Sequence, residues 1–160
     1  MGSMPPRRCS NAPPPRGIYD RLVCAAAAAT GLAGERYDLA VSSFVACHLA
    51  DLGKLYAEAR RLTRQSGKIV LVDYHPFMLL KGVPTHFTAP SGEPIAIANV
   101  VHLFGDHIAA GCGAGLALLE LREQLVDAEW FRENQRLFGE PRLASHLNQP
   151  VSFAMVWAPV

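Results

Sequence analysis

Charge of one sign, paired cysteines and long apolar runs are all scarce in this chain of 160 residues. With 15 basic against 14 acidic residues the net charge is +1, which removes the electrostatic case for binding nucleic acid or an anionic membrane surface. The partner favoured by that balance is a small molecule near neutrality. The four cysteines, Cys9, Cys24, Cys47 and Cys112, are widely spaced with no CxxC pair, so reduced thiols in a cytoplasmic setting are expected ahead of a disulfide framework. No apolar stretch reaches the roughly 18 residues that a membrane span needs. What the length does allow is one domain, burying about two-thirds of its unfolded surface.

Residues 1–17, MGSMPPRRCSNAPPPRG, hold five prolines and three arginines and almost nothing apolar, the composition of a disordered leader. A targeting segment is the rival reading, because Asp20 is the one acid before Glu35 and LVCAAAAAT can serve as a short apolar core. Against it, Asp20 interrupts the basic lead and the same residues can form a buried strand.

The organisation is clearest from Tyr37 to Pro76, YDLAVSSFVACHLADLGKLYAEARRLTRQSGKIVLVDYHP. Leu39 to Phe44 and Ile69 to Val72 are short apolar runs without strict alternation, as in parallel strands covered on both faces. Between them Leu52, Leu55, Tyr56, Ala59 and Leu62 recur at helical spacing, Asp51 can cap the first turn and Gly67 can close the last. Strand, helix and strand in that order make a βαβ unit. Ligands of open parallel sheets bind beyond the carboxyl ends of the strands, which here means Ser42, Ser43 and Phe44 after one strand and Asp73, Tyr74 and His75 after the next.

Tyr37-Asp38-Leu39, Ser42-Ser43, His48, Glu58, Arg61, Leu62, Gly67 and the closing LVDYHP resemble the middle of the class I, Rossmann-like S-adenosylmethionine-dependent methyltransferases, best over residues 37 to 76 and more loosely over 19 to 159. The resemblance implies an α/β fold: a three-layer, Rossmann-like, mostly parallel sheet with an antiparallel last strand, truncated at its N-terminal half. Domain organisation would then be a leader at 1–17 and a partial methyltransferase-like domain at 18–160. It further implies methyl transfer from S-adenosylmethionine to a small-molecule acceptor. Ser42, Ser43, Phe44 and His48 would face the cofactor, Tyr74, His86 and His102 the substrate, and His75 is the first candidate for a catalytic base. Each keeps a plainer reading: Phe44 as core, His48 as a helix cap, His75 as a loop histidine.

In the resembling family the first strand ends in an acid and a glycine-rich turn, and a second strand ends in another acid. Neither stands upstream of Tyr37, and Tyr19 to Leu32, which looks like the third strand and its loop, offers alanines where relatives carry an Asp. A degenerate relative that has lost the cofactor and acts as a binding or interaction module is therefore the alternative. Without the first strand, Leu39 to Phe44 becomes a sheet edge and a seat for a homodimer or another partner, unless Leu22 to Ala27 fills the gap.

Downstream, Phe77 to Pro94 reads as a long lid-like loop, Asp106 to Ala114 and Asp127 to Phe138 as helices, and Leu116 to Leu121 and Val151 to Trp157 as strands. Gly111, Gly113 and Gly115 spell GxGxG, but a helix precedes and a strand follows, the reverse of the order that presents a phosphate to a helix N-terminus. These glycines should end a helix and permit close packing. His102, His107 and Cys112, five residues apart, fall about 140° apart around a helix, so no metal site is expected.

Overall fold

The computed structural model describes residues 22–82, 85–138 and 146–160, so the expected leader lies outside the described residues. Strand β1 (Tyr37–Ser43), helix α1 (Leu52–Leu62) and strand β2 (Thr63–Tyr74) build the expected βαβ unit, with β1 and β2 in parallel register from Leu39↔Lys68 to Ser43↔Val72. Asp51 caps α1 by accepting from the Lys54 N–H, and Leu52, Leu55 and Tyr56 are its buried stripe. The helix does not close on Gly67. It ends at Leu62, where the Thr63 hydroxyl donates to the Ala59 carbonyl at 2.8 Å and the chain turns straight into β2. Gly67 lies inside that strand, where a Cβ would stand 2.6 Å from the Thr63 methyl and 2.9 Å from the Asp38 carbonyl oxygen. Glycine is needed there for close backbone approach, not for a helix stop.

Helix α3 (Phe104–Gly113), strand β5 (Leu116–Leu125), helix α4 (Ala128–Phe138) and strand β6 (Pro150–Pro159) follow. The sheet order is β1-β2-β6-β5 with β6 antiparallel to both neighbours. β1, β2 and β5 therefore run one way and β6 the other, a mostly parallel Rossmann-like sheet with an antiparallel last strand. The period of two is plain in β6: Val151, Phe153, Met155 and Trp157 are buried, and the residues between them are half-buried. With Ile69 and Leu71 of β2, Phe153, Met155 and Trp157 meet Leu52, Leu55 and Tyr56 of α1, while Val151 packs in a second cluster with Met78 and Val126. Gly111 of α3 lies so close to the Trp157 ring that a Cβ would fall 2.5 Å from it. Of the GxGxG glycines, Gly111 alone permits close packing; Gly113 is the last residue of α3 and Gly115, at φ 74°, makes the turn into β5, with no atom near enough to meet a Cβ at either.

The opposite sheet face is different. Leu39 and Val41 stand 54% and 62% exposed, Val70, Val72, Ala154 and Val156 are half-buried, and neither buried cluster takes a residue from this face. Of the three layers, the described residues build two: the sheet and the α1/α3 layer. Leu22 to Ala27 does not fill the place beside β1. That stretch is irregular apart from an isolated bridge between Ala26 and Ala29, and Ala27 packs against the helix-side core.

Two further expectations change. The connection after β2 is not a structureless lid: it holds helix α2 (Pro76–Leu80) and a hairpin of β3 (Thr85–Thr88) and β4 (Pro94–Ile97). Cys24 is disulfide-bonded, whereas Cys47 and Cys112 are free thiols. In β5 the register slips between Leu118 and Glu120, so residues after Leu119 change faces. Among the described residues no helix is long and apolar enough to cross a membrane.

Candidate functional site

The carboxyl ends of β1 and β2 lie side by side because the strands are parallel and paired to their last residues, Ser43 opposite Val72. Ser42 is half-buried on the helix side beside Leu71, and Ser43 is exposed on the open side. Phe44 then takes a left-handed backbone, φ 53°, while its N–H still donates to the Val72 carbonyl at 2.8 Å. A bulky residue at positive φ costs on the order of 1 kcal/mol or more and persists where surrounding structure holds it, often at functional positions. Here the turn swings the ring onto Tyr74 at the tip of β2, with centroids 4.6 Å apart, leaving Phe44 partly exposed.

One carboxylate ties the two strand ends together. Asp73, 2% exposed, accepts from the Cys47 N–H at 3.0 Å through one oxygen and from the Tyr74 N–H at 2.7 Å through the other. Such charge-assisted bonds to buried backbone donors are the strong kind. Burial, reinforced by the neighbouring Asp73, pushes the Cys47 thiol up to about 12, which keeps it protonated near neutral pH. Burial also raises the Tyr74 hydroxyl above its ordinary value.

His75 is 8% exposed with both ring nitrogens engaged. Nδ1 accepts from the Phe77 N–H at 3.1 Å, capping α2, which leaves Nε2 to carry the proton and donate to Glu123 Oε1 at 2.8 Å. The slip at Leu119 is what brings Glu123 to this face, opposite Phe153. His48 and His102 act at a second seam. The His48 Nδ1–H donates to the Ala98 carbonyl at 3.3 Å, the Val100 N–H to the Cys47 carbonyl at 2.7 Å, and the His102 Nε2–H to the Leu49 carbonyl at 2.7 Å. Together these pin residues 98–102, after the hairpin, onto the loop after β1. His86 lies in β3 opposite Ala96, and its side chain is outside the described part.

The structure therefore brings Ser42, Ser43, Phe44, Tyr74, His75 and His48 to one edge of the sheet, with His102 holding the adjoining loop. Sequence reasoning passed over the ties: Asp73 as a bolt between strand ends, Glu123 as the partner of His75, and residues 98–102 as a clasp. Asp73 alone had a readable signal, an acid closing an apolar strand. Behind the site His107 is buried, its Nδ1 3.0 Å from the Tyr56 hydroxyl, and burial followed by His102 lowers it to about 4. No group of three potential metal ligands converges among the described residues.

A family description reading "methyltransferase domain" matches residues 7–71, beginning inside the stretch expected to be a leader and ending within β2. Among solved structures the chain is similar to S-adenosylmethionine-dependent methyltransferases from Mesorhizobium loti (16% identity, TM-score 0.58, covering 83% of this chain and 67% of that one) and Clostridium acetobutylicum (10%, 0.61, 89% and 66%). It is also similar to a Listeria monocytogenes protein described as a possible member of the same class (12%, 0.63, 91% and 73%). The chain spans about two-thirds to three-quarters of those chains. No curated protein matches it.

Proposed function

We propose that this chain, which has the fold of the class I S-adenosylmethionine-dependent methyltransferases, binds that cofactor at the carboxyl edge of β1 and β2 and serves transfer of its methyl group to a small, neutral, largely apolar acceptor. Bound there, the cofactor supplies an electrophilic methyl carried on a cationic sulfur. The observation that carries this reading is the left-handed turn at Phe44, which presents a partly exposed ring backed by Tyr74 at the place where ligands of such sheets bind. An aromatic face favours a cation, and the Ser43 hydroxyl is exposed beside it.

The residues fit the sulfonium end of the cofactor better than its hydroxyls. Asp73, at the tip of β2, has both oxygens committed, and Glu123 is held by His75. An apolar acceptor is supported by the surroundings: Phe77, Leu80, Val100, Val101 and Leu103 are exposed in the segments that follow β2 and the hairpin, and Lys81, nearby, is engaged by Gln149 and lies over the Phe77 ring. His75, with its proton on Nε2 and directed at Glu123, holds the lip of the site in this reading. It becomes a base only if an acceptor takes the place of the Phe77 N–H on Nδ1, the ring nitrogen that carries the lone pair. Cytoplasmic action is part of the same proposal; the free thiols of Cys47 and Cys112 support it and the Cys24 disulfide opposes it.

Titration calorimetry with S-adenosylmethionine and with its demethylated product tests the reading. Micromolar binding that weakens about tenfold in Phe44→Ala is expected, the scale of a partly desolvated aromatic contact to a cation. Silence at millimolar concentration would overturn it.

A further inference from the structure

The outer edge of β1 has no partner among the described residues, and its chemistry restricts what fits there. Because the Phe44 N–H points to Val72, alternation along the strand turns the backbone groups of Asp38, Ala40 and Ser42 toward β2 and those of Leu39, Val41 and Ser43 outward. Between Tyr37 and Ser43 there is no proline or lysine to guard the edge. Its one charge, Asp38, is paired with Arg64 at 2.6 Å.

We propose that a second copy of this chain adds to this edge, antiparallel, about a twofold axis through Ala40. That centre overlaps all seven residues of the strand. Leu39 of each copy exchanges backbone hydrogen bonds with Val41 of the other, Ala40 faces Ala40, Asp38 faces Ser42, and Tyr37 faces Ser43. The Leu39 and Val41 side chains cover each other across the seam, no like charges meet, and a net charge of +1 per chain adds little repulsion. The contact is isologous and closes on itself, which stops at a dimer instead of a fibre. A seven-residue seam falls short of the about 800 Å² per partner of a standard interface, so the dimer is weak and reversible. Pairing also delivers Tyr37 of the second copy beside Ser43, next to Phe44, so each copy lends an aromatic ring to the other's site. That last step rests on the cofactor reading above; the pairing does not.

Concentration-dependent light scattering of the whole chain tests the pairing, with Val41→Lys as the edge-guarded variant. The wild type should shift from monomer to dimer with concentration, and Val41→Lys, checked by circular dichroism for an unchanged fold, should raise the dissociation constant at least about tenfold. Register is read separately in a Cys112→Ser background. The Ala40 pair is the closer, non-hydrogen-bonded kind, with Cα atoms about 4.5 Å apart, inside disulfide range. Ala40→Cys should therefore give a 40–40 linked dimer on oxidation while Ser42→Cys gives none. A wild type that stays monomeric, a Val41→Lys protein that still dimerises, or crosslinking at Ser42→Cys but not Ala40→Cys would each overturn the proposal. A dimer that binds no cofactor leaves the pairing standing and removes the cofactor reading. Equal cofactor affinity in wild type and Val41→Lys removes the role of Tyr37.

Discussion

The two faces of one sheet are built from similar residues and have opposite fates. On the helix side, Ile69, Leu71, Phe153, Met155 and Trp157 disappear beneath α1 and α3; on the other side Leu39 and Val41 remain more than half exposed and Val70, Val72 and Val156 are half-buried. Strand residues alternate between faces, so adjacent positions of the same strand sit in different environments. Apolar character was therefore no guide to burial here. The difference lies in whether a helix follows in the chain to cover the face, and α1 and α3 both fall on one side.

The sharpest way to break that contrast is truncation on the covered face. Trp157→Ala should cost about 3–5 kcal/mol in denaturant unfolding, the cost of emptying a large aromatic site in a packed core, whereas Val156→Ala, one residue along, should cost less than about 1 kcal/mol because its site is only half closed. Comparable losses from both would mean that the open face is covered too. Acid should attack the same face. His107 is neutral in the fold with its pKa lowered to about 4, so the unfolded chain binds the extra proton between about 6.5 and 4. Stability from this group is then whole above about pH 6.5 and is lost as pH falls toward 4, by an amount on the order of 3 kcal/mol. His107→Gln should flatten that part of the pH–stability curve. Glu58, lowered to about 2 by Arg61 and then Thr30, adds a second loss at still lower pH, present above about 4.3 and gone by 2.

Smaller effects sharpen the comparison further. Gly111→Ala should cost about 1–3 kcal/mol, since the new methyl must push the Trp157 ring or move α3. Val41→Thr, on the open face, should change thermal stability by less than about 0.5 kcal/mol in the monomer.

Much of this architecture could be read from residue order. The βαβ unit, the Asp51 cap, both helices of the second half and the final strand pair follow from local periodicity, which is what a chain writes most plainly. Gly67 misled because glycine after a helical run usually means a stop; its actual reason, the Asp38 carbonyl packed beneath it, comes from another strand. The hairpin at Thr85–Ile97 was hidden by strands of four residues, too short to show a period, and the Cys24 disulfide by spacing that follows no motif. The placement of Ser42, Ser43, Phe44, Tyr74 and His75 together at neighbouring strand ends was legible from the order of the elements, because parallel strands joined by a helix end on the same side. The bonds that fix them, Asp73 to Cys47, His75 to Glu123 and His102 to Leu49, join positions 26, 48 and 53 apart, and no local pattern encodes such distances.

The slip at Leu119 has a consequence for how this strand can evolve. It works as a parity switch: with the extra residue present, everything from Glu120 onward reads out on the reverse side of the ribbon from where the preceding alternation would have put it. Pairing Leu119 into the ladder opposite Val156, in place of bulging it, would leave the sheet intact yet turn Glu123 away from His75, whereas deleting Leu119 would keep Glu123 opposite Phe153; the hold on His75 thus depends on a register set in a strand segment four residues away.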